Sequence, residues 1–284
     1  RTMTQAMQAN GIQEIKAIIN GTTNYILTRM TEEGADYQQV LKDAQALGYA
    51  EANPVADVEG YDSSYKLSIL SSLAFNKRVP VDIIYREGIT KITAEDIRIA
   101  KDMGFVIKLL AIAKQRGDKI EARVHPVFLP KSHPLANVNG SFNAVFVVGD
   151  AVGDIMLYGR GAGALPTGSA IVSDVVFCAR QVEHARYPEM FNVMTQDQIV
   201  SDFESDYYLR LNARDVSGVI ADIASVFKKY KVSISQMRQD ESKEVIPVIF
   251  ITHKTTEKAM KQAIEEIKSL PNVLSVENVI RVEK

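Results

Sequence analysis

The sequence predicts an α+β fold: a mixed-sheet domain of helices and strands, then a smaller C-terminal unit in the order β-α-β-β-α-β. Three observations predict it. The chain has 284 residues, enough for two domains of ordinary size. The first region mixes helix-period and strand-period segments, with an antiparallel element expected, which fits α+β better than a doubly wound sheet. A polar stretch, Met194–Asp206, then breaks the pattern. The boundaries expected are a domain over 1–197, a linker over 198–206 and a second domain over 207–284.

Arg1–Ala9 reads as part of a helix stopped by Asn10-Gly11. A chain that opens inside a helix is expected to have lost sequence upstream. Gln13–Ile19 alternates and then runs apolar, as a strand does. Asn20-Gly21-Thr22-Thr23 reads as a tight turn, followed by helices over Asn24–Glu33 and Tyr37–Leu47, the latter ended by Gly48. Ala50–Gly60 reads as a loop, Ser63–Phe75 as a helix, and Ala94–Met103 as a helix capped by Thr93. Phe105–Ala113, Ile120–Phe128, Ala144–Val148 and Asp154–Tyr158 are expected strands between Gly, Pro, Asn and Asp clusters. Glycine-rich Gly159–Gly168 precedes a helix over Ser169–Gln181. Beyond the linker, Tyr207–Ala213, Val219–Tyr230, Val232–Arg238, Val245–Thr252, Thr256–Ser269 and Val273–Val282 give strand, helix, strand, strand, helix, strand, with a polar turn between the middle strands. That order is the ferredoxin-like arrangement.

Composition narrows the function. Charged residues make up 24% and the net charge is −2, which argues against a dedicated nucleic-acid binder. No run of about 18 apolar residues exists to form a membrane-spanning helix, and a cytoplasmic location is expected. The single cysteine, Cys178, lies in the apolar run Ile171–Ala179 and is expected to be a buried, inert thiol. His125, His133, His184 and His253 lack metal-ligand spacing and are expected to be solvated or packed. No metal site is expected.

The chemistry-bearing segment is Tyr49–Lys66, with Glu51, Asp57, Glu59 and Asp62 leading into a helix that carries Lys66. Asp62 and Lys66 are four apart and share a helix face. Because Ile69, Leu70 and Leu73 continue that face, Lys66 is expected on the buried stripe, answered by carboxylates. One reading is a structural ion pair with Asp62 as N-cap. The other is a desolvated lysine suited to proton transfer. Gly159-Arg-Gly-Ala-Gly163 lacks the strand and following acid of a dinucleotide fingerprint, so a turn is its ordinary meaning.

The pattern A-x3-P-x2-D-x-x-G-x-D-x3-K, from Ala50 to Lys66, resembles the signature of the homoserine dehydrogenase family. So do Asn20-Gly-Thr-Thr-Asn-Tyr-Ile-Leu-Thr-Arg-Met30 and Tyr158-Gly-Arg-Gly-Ala-Gly-Ala-Leu-Pro-Thr-Gly-Ser-Ala170. The resemblance implies reduction of aspartate semialdehyde to homoserine with NADP or NAD. It implies Lys66 as proton donor, Asp62 as its paired acid, Glu51 at the substrate's amino end, Asp57, Tyr49 and Thr22 beside the substrate, and Gly163 towards the cofactor. It also implies that an N-terminal nucleotide-binding domain, holding a second lysine and cation ligands, is missing, so that this chain alone is inactive. The C-terminal unit, with Asp215-Val-Ser-Gly218 between strand and helix, resembles an ACT domain, though Ser217 stands where proline is frequent. That implies a threonine effector and a homodimer or homotetramer. A non-catalytic amino-acid sensor or a pure oligomerisation module is the alternative.

Overall fold

The computed structural model describes residues 2–181, 192–239 and 245–283. Arg1, His184 and the polar turn expected at 240–244 lie outside the described residues. The strands are β1 Ile12–Ile18, β2 Tyr85–Arg86, β3 Phe105–Arg116, β4 Lys119–Pro130, β5 Phe142–Gly149, β6 Gly153–Arg160, β7 Glu204–Arg214, β8 Ile234–Gln239, β9 Val245–Thr252, β10 Thr255–Thr256 and β11 Val273–Val282. The α-helices are α1 Gly21–Glu33, α2 Tyr37–Ala46, α3 Val55–Val58, α4 Tyr61–Phe75, α5 Ala94–Asp102, α6 Ala164–Gln181, α7 Val219–Lys229 and α8 Glu257–Lys268. The strand order is β6-β5-β1-β3-β4-β11-β7-β9-β8, with β2 beside β4 and β10 beside β7.

The α+β reading and its βαββαβ tail are both present. Local differences have local causes. The expected turn at Asn20–Thr23 is the first turn of α1, because Asn20 caps it by accepting from the Thr23 N–H at 2.9 Å. The expected loop before Gly60 holds the short α3. The N-terminal helix is a single π-helical turn over Thr2–Ala6. Helix α6 begins at Ala164, inside the glycine-rich stretch, with Pro166 tolerated in its first turn.

Helices α1, α4 and α5 cover one face of β1, β3 and β4, and α2 packs on α1. Ile26, Leu27, Met30, Val40 and Leu67 are buried there, each contributing roughly 1.5–3 kcal/mol. On the other face, Leu110, Ile112, Val127 and Leu129 pack against Leu135 and Phe146. A separate core forms around Leu209, Leu211, Phe227, Phe250 and Ile267. The two halves share one sheet because β11 pairs parallel with β4, Arg281 opposite Val127 and Val282 opposite Phe128.

Charges bury at this seam. The Arg123 side chain, 1% exposed, donates to Glu121 at 2.8 Å and to Glu283 at 2.9 Å. Arg210 donates to Asp96 at 2.8 Å, and Asn278 to the same carboxylate at 2.9 Å. Arg281 reaches Glu87 and Glu257, each at 2.5 Å. Phe203 stacks on the buried ring of His125, their centroids 6.2 Å apart, and carries the chain from one half to the other. Burial and the neighbouring Arg123 and Arg281 hold the His125 pKa well below its ordinary value. It is thus a neutral packing residue.

Burial works against the Glu283 carboxylate, but Arg123, Lys114 and Lys16 outweigh it and hold its pKa down to about 2. Its contribution to stability should therefore be complete above its ordinary value of 4.5 and be lost as pH falls towards about 2. Glu283→Gln should destabilise the chain at neutral pH by roughly 1.5–3 kcal/mol, because buried Arg123 keeps Glu121 but loses its second charged acceptor. Urea denaturation across that acid range should show the variant with a shallower loss than the parent. Parallel losses would contradict the assignment.

Candidate active site

The C-terminal end of β1 delivers Ile19 and Asn20 to the mouth of a cleft of about 450 Å³. The Asn20 amide is saturated. Its Nδ2 donates to Asp57 at 2.7 Å and to Asp62 at 2.9 Å, while its Oδ1 accepts from Thr23. One side chain thus starts α1 and clamps two carboxylates together. Gly60, with φ 78°, turns the chain between those carboxylates and opens α4. Asp62 is accordingly in the first turn of α4 and is not its N-cap.

Lys66 Nζ donates to Asp62 Oδ2 at 2.7 Å and to the Ile19 carbonyl at 3.0 Å. An ammonium carries three donors, so one N–H remains for another oxygen. The expected buried position is corrected. The Lys66 side chain is 46% exposed, and Ile69, on the same face, is 61% exposed. The buried face of α4 is instead Ser63, Ser64, Leu67 and Ser71. Small hydroxyl side chains allow close packing there, and Ser64 and Ser71 return their protons to Gly60 and Leu67 carbonyls. An apolar periodicity that ignores serine therefore picks the wrong face.

Thr22 donates its hydroxyl to the Tyr49 carbonyl at 2.7 Å, and the Tyr49 ring stacks on Tyr25 with centroids 4.4 Å apart. The structure brings Thr22, Tyr49, Asp57, Asp62, Lys66 and Gly163 together around the cleft. Glu51 is not among the residues lining it. It is exposed on the rim loop, where its carbonyl accepts from Gln45.

The opposite wall is made of Ser141, Asn143, Arg160 and Gly161, which sequence reasoning missed as site residues. Arg160 has no carboxylate partner among the described residues. Gly163 has φ 115°, a conformation that favours glycine. A Cβ on Gly161 would collide with the Asn143 amide. This wall is held from behind. Asn24 Nδ2 donates to the carbonyls of Gly140 and Phe142, each at 3.0 Å. Buried Lys108 donates to Asn24 at 3.1 Å and to the Val138 carbonyl at 2.6 Å, and burial pushes its pKa down to about 8. A lysine inside the apolar run Phe105–Ala113 was the one available signal.

Cys178 is exposed, contrary to expectation. Helix α6 stands clear of the three cores: Leu165 is 87% exposed, and Ile171, Val172, Val175 and Val176 are exposed too. Among the described residues, no core covers these side chains.

A homoserine dehydrogenase family model matches residues 1–176, and an ACT domain model matches residues 207–272. The chain belongs to the homoserine dehydrogenase family. A homoserine dehydrogenase of Mycobacterium tuberculosis is 43% identical across 100% of this chain and 67% of its own length. The crystal structure of a homoserine dehydrogenase from Thiobacillus denitrificans superposes with a TM-score of 0.91 at 41% identity, over 100% of this chain and 67% of that one. A hyperthermophilic archaeal homoserine dehydrogenase mutant in complex with NADPH superposes with a TM-score of 0.54 at 26% identity, over 66% of this chain and 52% of that one. The chain spans about two thirds of the length of the curated relatives it matches. The family is one of oxidoreductases, and the C-terminal unit is an ACT domain.

Asn20→Asp should keep the helix cap, since both residues cap well, but place a third carboxylate against Asp57 and Asp62. Its destabilisation should shrink as added salt screens the like charges. Urea denaturation at low and at high ionic strength measures this. A deficit independent of salt would show that the bridge is not electrostatic.

Proposed function

We propose that the cleft is the substrate half-site for interconversion of L-homoserine and L-aspartate 4-semialdehyde, with NADP or NAD, in threonine and methionine biosynthesis. The observation that carries this is the one N–H of Lys66 left uncommitted beside a clamped pair of carboxylates. Charge that develops on the aldehyde oxygen would be met by that N–H, and Lys66 would give its proton to the oxygen. Asp62 fixes the ammonium. Asp57, Tyr49 and Thr22 shape the floor, and Glu51 on the rim is assigned to the substrate ammonium. Arg160, without a carboxylate partner among the described residues, supplies the cation that a substrate carboxylate needs.

When bound, the nicotinamide supplies the hydride. Gly161 and Gly163 leave bare backbone at the cleft edge and fit a planar ring approaching there. Among the described residues the β11–β4 and β2–β4 pairs are the parallel strand pairs, and no helix joins either pair as a crossover of a nucleotide-binding βαβ unit. The 284 residues alone are therefore assigned binding of substrate without turnover. In this reading residues 1–197 form the catalytic and dimerisation domain, 198–206 the linker and 207–284 the regulatory domain with a threonine effector. The exposed apolar side chains of α6, with Met156, Leu157 and Tyr158 of β6, are assigned to the contact between subunits of a homodimer or homotetramer.

In a polypeptide of the relatives' full length, Lys66→Ala should lower kcat by about 10²–10⁴-fold while leaving the melting temperature nearly unchanged, because Lys66 is half exposed. An unchanged kcat would remove Lys66 as proton donor. Arg160→Gln should raise KM for aspartate semialdehyde with kcat largely retained. The isolated 284-residue chain should not oxidise NADPH with aspartate semialdehyde. Measurable turnover by it would end the half-site reading.

A further inference from the structure

Lys108 of β3 is 3% exposed and has no part in the chemistry assigned to Lys66. It lines a cavity of about 240 Å³ beside the 3-10 turn Pro134–Asn137. No carboxylate pairs with it among the described residues. A buried ammonium without an ion pair is costly, so its bonds must account for it. All three of its N–H groups are used. They go to Asn24 Oδ1 at 3.1 Å, the Val138 carbonyl at 2.6 Å and Asn139 Oδ1 at 3.2 Å.

Those acceptors belong to two separate pieces of chain. Asn24 is on α1, whose first residues Gly21 and Thr22 line the catalytic cleft. Val138 and Asn139 begin the loop that carries Ser141 and leads into Asn143, on the opposite wall. Asn24 and Thr28 complete the tie. Asn24 Nδ2 donates to the Val138 carbonyl at 2.9 Å as well as to those of Gly140 and Phe142, and the Gly140 N–H donates to Thr28 Oγ1 at 3.1 Å. Beyond the tie the two walls touch. A Cβ on Gly21 would lie 3.0 Å from the Ser141 carbonyl oxygen and 3.7 Å from Asn143 Oδ1. Any displacement of the loop at Lys108 is thus carried into the cleft.

The tie also responds to pH. Burial pushes the Lys108 pKa down to about 8, against a smaller opposing effect of Glu32. As an ammonium it meets three acceptors with three donors. As a neutral amine it keeps two donors and turns a lone pair towards one of the same oxygens. The titratable groups on the elements packed around it are Glu32 of α1 and Lys131 after β4, which line the same cavity, and His133 at the cap of the 3-10 turn. Burial and Lys16 hold the His133 pKa below its ordinary 6.5. Because the folded pKa of Lys108 lies below its ordinary 10.5, its deprotonation adds to global stability between about pH 8 and 10.5. A loss of activity in that range is therefore not unfolding caused by this group.

We propose that Lys108 is a positioning residue: as an ammonium it ties the 138–142 loop to α1 and so sets the distance of the Ser141–Asn143 wall from Lys66. The proposal deepens the substrate half-site reading above and rests on it. The test is kcat/KM for aspartate semialdehyde, from about pH 7 to about pH 9.5, in a polypeptide of the relatives' full length, with the melting temperature followed alongside. The parent should lose rate in a step near pH 8 while it stays folded. Lys108→Met should lie about 10–100-fold below the parent at neutral pH and lack the step. Asn139→Asp, at an exposed residue, sets a carboxylate against the ammonium and should move the step up by about one pH unit or more. If Lys108→Met does not fold, the Asn139→Asp shift decides alone.

An unchanged rate in Lys108→Met would overturn the proposal. So would a parent profile without the step, or a step that Asn139→Asp leaves in place. Failure of the half-site reading would be seen separately, as an unchanged rate in Lys66→Ala. A rate lost in Lys66→Ala but kept in Lys108→Met counts against Lys108 alone.

Discussion

The parallel pairing of β11 with β4 is the constraint on which the rest depends. It inserts the last strand of the C-terminal unit into the middle of the sheet that carries the cleft. The backbone bonds alone do not hold such a short overlap. Arg123, Arg210 and Arg281 make it specific: Arg123 and Arg281 are each buried between carboxylates drawn from both halves, and Arg210 of the C-terminal half is buried against Asp96 of the other. An unpaired charge there costs several kcal/mol, so sliding the strand by one position is disfavoured at three places at once. The C-terminal unit is accordingly an extension of the catalytic sheet, and the segment between them is anchored by Phe203.

The cleft depends on economy of bonding. Asn20 spends every donor it has on Asp57 and Asp62, and its carbonyl on the first turn of α1. Lys66 is the opposite case, with one donor in reserve. A buried ammonium would have to shed its charge to lower its desolvation cost. A half-exposed one, held by Asp62 and the Ile19 carbonyl, keeps its contact with water and a fixed position together. The geometry therefore supports orientation and charge stabilisation more than desolvation.

Much of this was legible in the sequence. The long helices and strands had clean periodicity, and the C-terminal order of elements read correctly. Tyr49, Asp57, Asp62 and Lys66 were legible because they sit in one short segment. Three kinds of feature were not. Serines packed inward on α4 hid its buried face. Apolar residues on α6 looked like core because periodicity reports what a helix could bury, and among the described residues no core meets them. The far wall of the cleft, Ser141, Asn143 and Arg160, comes from a hairpin distant in sequence, and only the sheet brings it opposite Lys66. Lys108 was a visible clue, since a lone lysine in an apolar run must find acceptors, but nothing in the sequence says that they are Asn24 and the Val138 carbonyl.

The contact between Gly161 and Asn143 has an evolutionary consequence. The asparagine amide occupies the space that a methyl group at position 161 would need. Neither position can be altered freely by single steps: enlarging residue 161 first requires a smaller residue 143, and shrinking residue 143 first opens a hole in the wall. The pair is expected to drift, if at all, as a coordinated double substitution. Across homologues its covariation would therefore record a steric exclusion with no bond behind it.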